Sequence, residues 1–151
     1  VSRRSYGQSC GIARALDLLG ERWTLLIIRD LLIGPRRYSD LLEGLPGIGT
    51  NLLADRLKFL EDQGLIRRRT LAPPAESVTV YDMSPAGREL EPVLHELVRW
   101  SWRHLGRPAK GQRSDPRWTA LALRAAFAPE AADGVDASYE LQISGQTVWA
   151  R

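Results

Sequence analysis

Thr50-Asn51-Leu52-Leu53-Ala54-Asp55-Arg56-Leu57-Lys58-Phe59-Leu60-Glu61-Asp62-Gln63 is the stretch on which the fold turns. Leu53, Leu57 and Leu60 follow one another at steps of four and three, the spacing of one face of an α-helix. Thr50, Asn51, Ala54, Asp55 and Lys58 fall on the other side, and Gly64 stands where a C′ glycine ends a helix. Immediately before it, Pro46-Gly47-Ile48-Gly49 makes a tight connection, and Tyr38 to Glu43 reads as a short helix with Leu41 and Leu42 turned inward. Short helix, tight turn and helix together make a helix-turn-helix. A DNA major groove, about 12 Å wide, admits one helix that has an apolar face fixed to a scaffold and a small polar face turned out. Short side chains at the start of such a helix permit close approach. Asn51 suits a bidentate contact with adenine, and the helix N-terminus attracts phosphate.

Beyond Gly64 the period changes. Leu65 to Leu71, a turn at Ala72-Pro73-Pro74, and Ser77 to Met83 with Val78, Val80 and Tyr81 read as a β-hairpin. Its first strand carries Arg67-Arg68-Arg69, and alternation sends neighbours to opposite faces. Ser84 then serves as N-cap and Pro85 as N1 of a long helix reaching about Leu105. Its apolar stripe is Leu90, Val93, Leu94, Leu97 and Val98. Upstream, Cys10 to Leu19 places Ile12, Leu16 and Leu19 at helical spacing, and Trp23 to Ile33 forms a second apolar helix with Trp23 in the core, stopped by Gly34-Pro35. Downstream, a polar linker precedes a helix over Trp118 to Phe127 and a loop over 129–136. Tyr139, Leu141 and Ile143 alternate as a strand, Gly145-Gln146 turns, and Thr147 to Ala150 reads as a second strand. An isolated two-stranded hairpin is marginal in water, so these strands pack on the rest of the protein or belong to a larger domain.

The expected fold is therefore mainly α with a small β-hairpin wing: a winged helix-turn-helix with a short α+β C-terminal extension. Residues 1–106 form the DNA-binding and dimerisation domain, 107–115 the linker, and 116–151 the extension. The 44% apolar and 26% charged composition of the 151 residues is that of an ordinary globular protein. No run of about 18 apolar residues is present, and no apolar region follows Arg3 and Arg4, so neither a membrane partner nor a signal peptide is expected. One cysteine, Cys10, excludes an internal disulfide and fits a cytoplasmic location. His95 and His104 have no cysteine near them, which is not a zinc pattern. Up to Lys110 there are 17 Lys+Arg against 13 Asp+Glu, and beyond it 4 against 5, so the basic excess belongs to the part that holds the helix-turn-helix. No Gly-Lys-Ser/Thr follows the Gly-rich turn, and no Ser-His-Asp, His-Glu-x-x-His or Cys-x-x-Cys pattern occurs. No catalytic residue, metal or cofactor is expected.

Cys10 through Leu105 resembles an HxlR-type winged helix-turn-helix regulator. The matching stretches are Cys10-Gly11-Ile12-Ala13-Arg14, Leu19-Gly20-Glu21-Arg22-Trp23-Thr24, Arg29-Asp30-Leu31-Leu32 and Gly34-Pro35-Arg36-Arg37-Tyr38. They continue through Leu45-Pro46-Gly47-Ile48, Arg56-Leu57-Lys58-Phe59-Leu60-Glu61, Gly64-Leu65-Ile66, Tyr81, Ser84 to Leu90, and Trp100. The resemblance implies a bacterial transcription regulator working as a homodimer on a near-palindromic operator, with the dimer built mainly by the first and last helices. Gly49 stands where many members have Ser, which removes an N-cap from the recognition helix, and Gly11 stands where many have Pro. The tail from Trp118 onward is similar to the opening of a sterol-carrier-like lipid-binding domain appended to some of these regulators, but it is too short to complete that fold.

The DNA-contacting residues expected on these grounds are Arg36, Arg37, Thr50, Asn51, Arg56, Lys58, Arg67, Arg68 and Arg69. Arg56 suits a structural ion pair equally well, because it flanks the buried side. Ile12, Leu16, Leu90, Leu94, Leu97 and Trp100 are expected at a dimer interface. Trp100 and Trp102 are read as dimer packing rather than the lining of a pocket, and an unidentified small apolar effector is kept as a further partner. Cys10, near a helix start, is the residue suited to redox sensing, since a helix dipole favours thiolate; a small buried hydrophobe is the competing role. The alternative function is a ligand carrier or protein-interaction module that uses a winged helix without DNA. Steep salt dependence of duplex binding separates the two.

Overall fold

The computed structural model describes residues 5–71, 77–106, 108–113, 115–127, 134, 136–143 and 146–150. Its elements are α1 (Gly11–Leu19), α2 (Thr24–Ile33), α3 (Tyr38–Gly44), α4 (Thr50–Asp62), β1 (Ile66–Leu71), β2 (Val78–Met83), α5 (Pro85–Arg88), α6 (Glu91–His104), α7 (Pro116–Ala126), β3 (Tyr139–Ile143) and β4 (Gln146–Ala150). Packing groups them into two compact units, Val1–Glu89 and Leu90–Arg151.

The first unit is a winged helix-turn-helix. Helix α2 is apolar nearly all round, so it belongs at the centre, where Ile27, Ile28, Leu31 and Leu32 are buried. Leu41 of α3 and Leu53, Leu57 and Leu60 of α4 are buried as their spacing requires, and Leu45 and Ile48 between the two helices join them. Burying a leucine contributes roughly 1.5–3 kcal/mol, so the inward face of α4 anchors it firmly. Leu42 is only half-buried. Helix α4 ends in a Schellman motif: Leu65 N–H donates to Leu60 O, Gly64 N–H donates to Glu61 O, and Gly64 has φ +71°.

The strands of the wing are antiparallel, with Arg67 opposite Asp82 and Arg68 opposite Tyr81. The other edge of β2 is covered by a bridge to Arg36: Arg36 N–H donates to Tyr81 O at 2.9 Å and Tyr81 N–H to Arg36 O at 2.7 Å. The expected turn at Ala72-Pro73-Pro74 lies outside the described residues. Ser84 caps α5, accepting from Gly87 N–H at 3.0 Å, and its hydroxyl donates to Gly64 O at 2.6 Å.

Two expected helices begin or run differently. Helix α2 starts at Thr24, because Trp23 is its N-cap, has φ +78°, and is half-buried rather than core. The single helix over Pro85 to Leu105 is two, α5 and α6, separated at Glu89-Leu90. Pro92 is the cause: it has no N–H to give to Arg88 O, and its ring clashes with that carbonyl in a continuous helix, whereas it is tolerated in the first turn of a new one.

In the second unit α6 packs with α7, and β4 packs on α7. Arg99 Nε donates to Ala125 O at 2.6 Å, and Arg124 pairs with Glu91 at 3.0 Å. Helix α7 starts before Trp118, because Asp115 caps it by accepting from Arg117 N–H, with Pro116 at N1. Hydrogen bonds from Arg117 hold the Asp115 carboxyl at about 2, against the opposing push of burial. In the C-terminal hairpin Ile143 pairs with Gln146, so Gln146 belongs to the strand and not to the turn.

Candidate nucleic-acid interface

Helix α4 is fixed on one side by its three leucines. Thr50, Asn51, Ala54, Asp55 and Lys58 are exposed on the other. Its N-cap, Gly49, brings no side-chain acceptor, so the free N–H groups of the first turn are left to an outside acceptor. The turn before it is held by buried Ile48 and Leu45 and by Tyr38, whose hydroxyl donates to Thr50 O at 2.7 Å. Lys58 pairs with Asp62 at 3.0 Å, both largely exposed, an i,i+4 contact worth a few tenths of a kcal/mol that leaves the ammonium free to exchange.

Arg56 is placed differently. Its side chain is 14% exposed and its guanidinium meets Glu21 at 2.8 Å, so the ion-pair role is the one its position supports. Arg37 is exposed, and its backbone N–H donates to Asp40 at 3.0 Å. Arg36 is half-buried, and its Nε has no hydrogen-bond partner among the described residues.

The arginines of the wing divide by strand alternation. Arg68 shares a face with Tyr81, lies over its ring at 5.7 Å, and pairs with Glu61 of α4 at 2.9 Å. Arg67 and Arg69 share the other face with Asp82, a buried carboxylate. Asp82 takes a hydrogen bond from Arg69 at 2.7 Å and one from Arg88 of α5 at 3.0 Å, with Arg67 at 3.7 Å. Burial pushes the Asp82 carboxyl up, but the Arg69 hydrogen bond and the charges of Arg88, Arg69 and Arg67 outweigh it and hold the group below its ordinary value. Three guanidinium groups around one carboxylate leave about two unbalanced positive charges on half-exposed side chains, an arrangement suited to phosphate. Sequence reasoning misses Asp82 and Arg88, because an acid opposite Arg67 emerges only once the register of the hairpin is known.

Cys10 is exposed and is the N-cap of α1, not a buried hydrophobe. The N–H groups of Ala13 and then Ile12 lower its thiol pKa, with burial opposing weakly. Ile12 and Leu16 on α1 are exposed. On α6, Leu97 and Trp100 are about half-exposed, and Leu90, its N-cap, is half-buried. Leu94 is buried, and Val93 takes its place on the open face with Leu97 and Trp100, at steps of four and three. Among the described residues no group of three His, Cys, Asp or Glu is placed to hold a metal, and no helix is long and apolar enough to cross a membrane.

Residues 18–108 match the model of the HxlR-like helix-turn-helix family. The uncharacterized HTH-type transcriptional regulator Rv3095 of Mycobacterium tuberculosis is 37% identical over 127 residues, covering 78% of each chain. Among solved structures, the reduced form of the transcriptional regulator YodB from Bacillus subtilis superposes with a TM-score of 0.56 at 32% identity, covering 68% of this chain and 100% of that one. A quinone-bound YodB gives 0.53 at 33% identity, covering 61% and 96%. These relatives are transcription regulators rather than enzymes. With its winged helix-turn-helix and this match over most of its length, the chain belongs to the HxlR-like helix-turn-helix family of transcriptional regulators.

Proposed function

We propose that this regulator binds duplex DNA sequence-specifically as a homodimer. The observation that carries the proposal is α4: three buried leucines fix it, its N-terminus lacks a side-chain cap, and Thr50, Asn51, Ala54 and Asp55 are exposed at its start. That is the form of a helix whose first turns enter a major groove. Thr50 and Asn51 read base edges. Lys58 and Arg37 meet phosphates, and Arg36 supports the same edge from its place beside the wing. Arg67, Arg68 and Arg69 bring the wing to the backbone or the minor groove. Asn51→Ala is expected to weaken binding to the preferred sequence by roughly 1–3 kcal/mol and to leave binding to scrambled duplex nearly unchanged. Fluorescence anisotropy on the two duplexes measures this, and equal losses on both count against base reading.

One recognition helix reads only a few base pairs, so specificity calls for two half-sites spanned by a two-fold dimer. The exposed Ile12 and Leu16 of α1 and Val93, Leu97 and Trp100 of α6 support burial between protomers. Leu90 contributes at the N-terminal edge of the α6 face, and Leu94 supports that face from beneath.

The effector reading rests on Cys10, the chain's one thiol, exposed and acidified at the start of α1, and on the quinone-bound form of YodB. A quinone-type electrophile adds to the Cys10 thiolate: sulfur bonds to a ring carbon, and the ring takes up a proton to become a hydroquinone adduct. Incubation with a simple benzoquinone is expected to add the mass of one quinone to the wild type and none to Cys10→Ser. An adduct of the same yield on both places the chemistry elsewhere.

A further inference from the structure

The segment Gly20–Trp23, between α1 and α2, touches the recognition element at two separate points. Glu21 reaches Arg56 near the middle of α4, Oε2 to Nη2 at 2.8 Å. Trp23 lies against the turn that precedes α4: a Cβ built on Gly47 stands 3.7 Å from the edge of its ring. Gly47 itself has φ +94°, so the turn needs glycine there for its backbone rather than for room beside the indole. Arg22 places its guanidinium over the same ring at 5.1 Å. All of these residues belong to the first unit.

This double contact is held at a cost. Trp23 has φ +78°, a left-handed backbone that a bulky residue adopts only where its surroundings over-determine it. The left-handed turn allows one short segment to send Trp23 to Gly47 and Glu21 to Arg56. The Arg56 side chain is mostly covered, and its Nε makes no hydrogen bond among the described residues. Glu21 is thus the carboxylate that fixes where the guanidinium lies. Five helical positions separate Asn51 from Arg56, about 140° around the axis, so the Glu21 contact restrains the residual rotation of α4 that its buried leucines leave, and with it the direction in which Asn51 points. Recognition geometry tolerates displacements of only about 0.5 Å or 10–20°.

We propose that Glu21 is a positioning residue for DNA recognition: its ion pair with Arg56, with Trp23 against Gly47, restrains the small rotations that the buried leucines leave to the recognition helix and so sharpens base reading, without itself touching DNA. The inference rests on the DNA-binding function proposed above. The experiment selects a preferred duplex from a random-sequence pool with the wild-type homodimer, then measures affinity for it and for a scrambled duplex of equal length. Glu21→Gln removes the charge and keeps the size. It is expected to lower affinity for the preferred duplex about tenfold while affinity for the scrambled duplex stays within about twofold, so the ratio of the two collapses. Glu21→Asp keeps the charge and is expected to recover most of that ratio. A purely structural Glu21 lowers the thermal midpoint and both affinities together. A Glu21 that merely restrains Arg56 from phosphate gives Glu21→Gln higher affinity for both duplexes. Either result, or an unchanged ratio, overturns the proposal. A wild-type protein that enriches no sequence from the pool removes the DNA-binding reading itself, and this proposal with it.

Discussion

Gly87→Ala is expected to destabilise the winged unit by about 3 kcal/mol or more. Gly87 is buried at the start of α5, and a Cβ built on it stands 2.0 Å from Leu65 O and 2.6 Å from Met83 Cε. The methionine can turn away. The carbonyl cannot, because Leu65 O accepts the Ser84 N–H at 3.0 Å, the bond that closes the base of the wing onto α5. The variant must therefore lift α5 or give up that bond, and Ser84 loses its cap geometry in either case. Against a total stability of about 5–15 kcal/mol the loss is large. Gly49→Ala is the control, because a Cβ there meets nothing within 4 Å and its φ of −76° suits any residue. Urea denaturation followed by circular dichroism should show a much lower midpoint for Gly87→Ala and little change for Gly49→Ala. Equal midpoints contradict the packing described here.

Leu97→Asp is expected to leave the chain folded and abolish its assembly. Leu97 is 47% exposed, so the carboxylate remains hydrated in the monomer and folding is not at stake. In a dimer it would be an unpaired charge pressed into an apolar contact with Val93 and Trp100 beside it, a cost of several kcal/mol. The variant should sediment as a monomer with wild-type circular dichroism. Its affinity for the full operator should fall about 100-fold or more, because two half-sites are no longer linked. A variant that remains dimeric, or a wild type that is monomeric at micromolar concentration, contradicts the assembly proposed for α1 and α6.

The recognition helix is legible in the sequence because three independent signals agree on it: the spacing of Leu53, Leu57 and Leu60, the glycine-rich turn before it, and Gly64 after it. The wing is legible as a hairpin, and alternation alone divides Arg68 from Arg67 and Arg69. What those arginines meet is not legible. More than two residues separate the strands, so no turn type fixes the register, and Asp82 cannot be placed opposite Arg67 in advance. Arg56 can be read two ways because its partner, Glu21, lies 35 residues away in sequence.

The apolar stripe of the last helix misleads for a similar reason. Leu90, Val93, Leu94, Leu97 and Val98 cover more than one face, and the periodicity alone does not tell that Leu94 is buried while Val93 stays open. The stripe also runs on past Pro92 and hides the break that this residue imposes. Trp23 follows no rule of local preference: its left-handed backbone is set by tertiary contacts, and no periodicity in the sequence announces it.

If cationic side chains around α4 and the wing grip duplex DNA, as proposed, binding must depend steeply on salt. The most direct test is the affinity of the wild-type protein for a mixed-sequence duplex of about 30 base pairs, measured against salt concentration. The expected result is a straight line of log K against log salt with a slope of about −4 or steeper. Replacing Arg67, Arg68 and Arg69 by alanine should flatten it by about one unit for each phosphate that these side chains neutralise in the wild type. A protein that fails to bind duplex at about 50 mM salt, or binds it with a slope near zero, would contradict DNA binding through these residues.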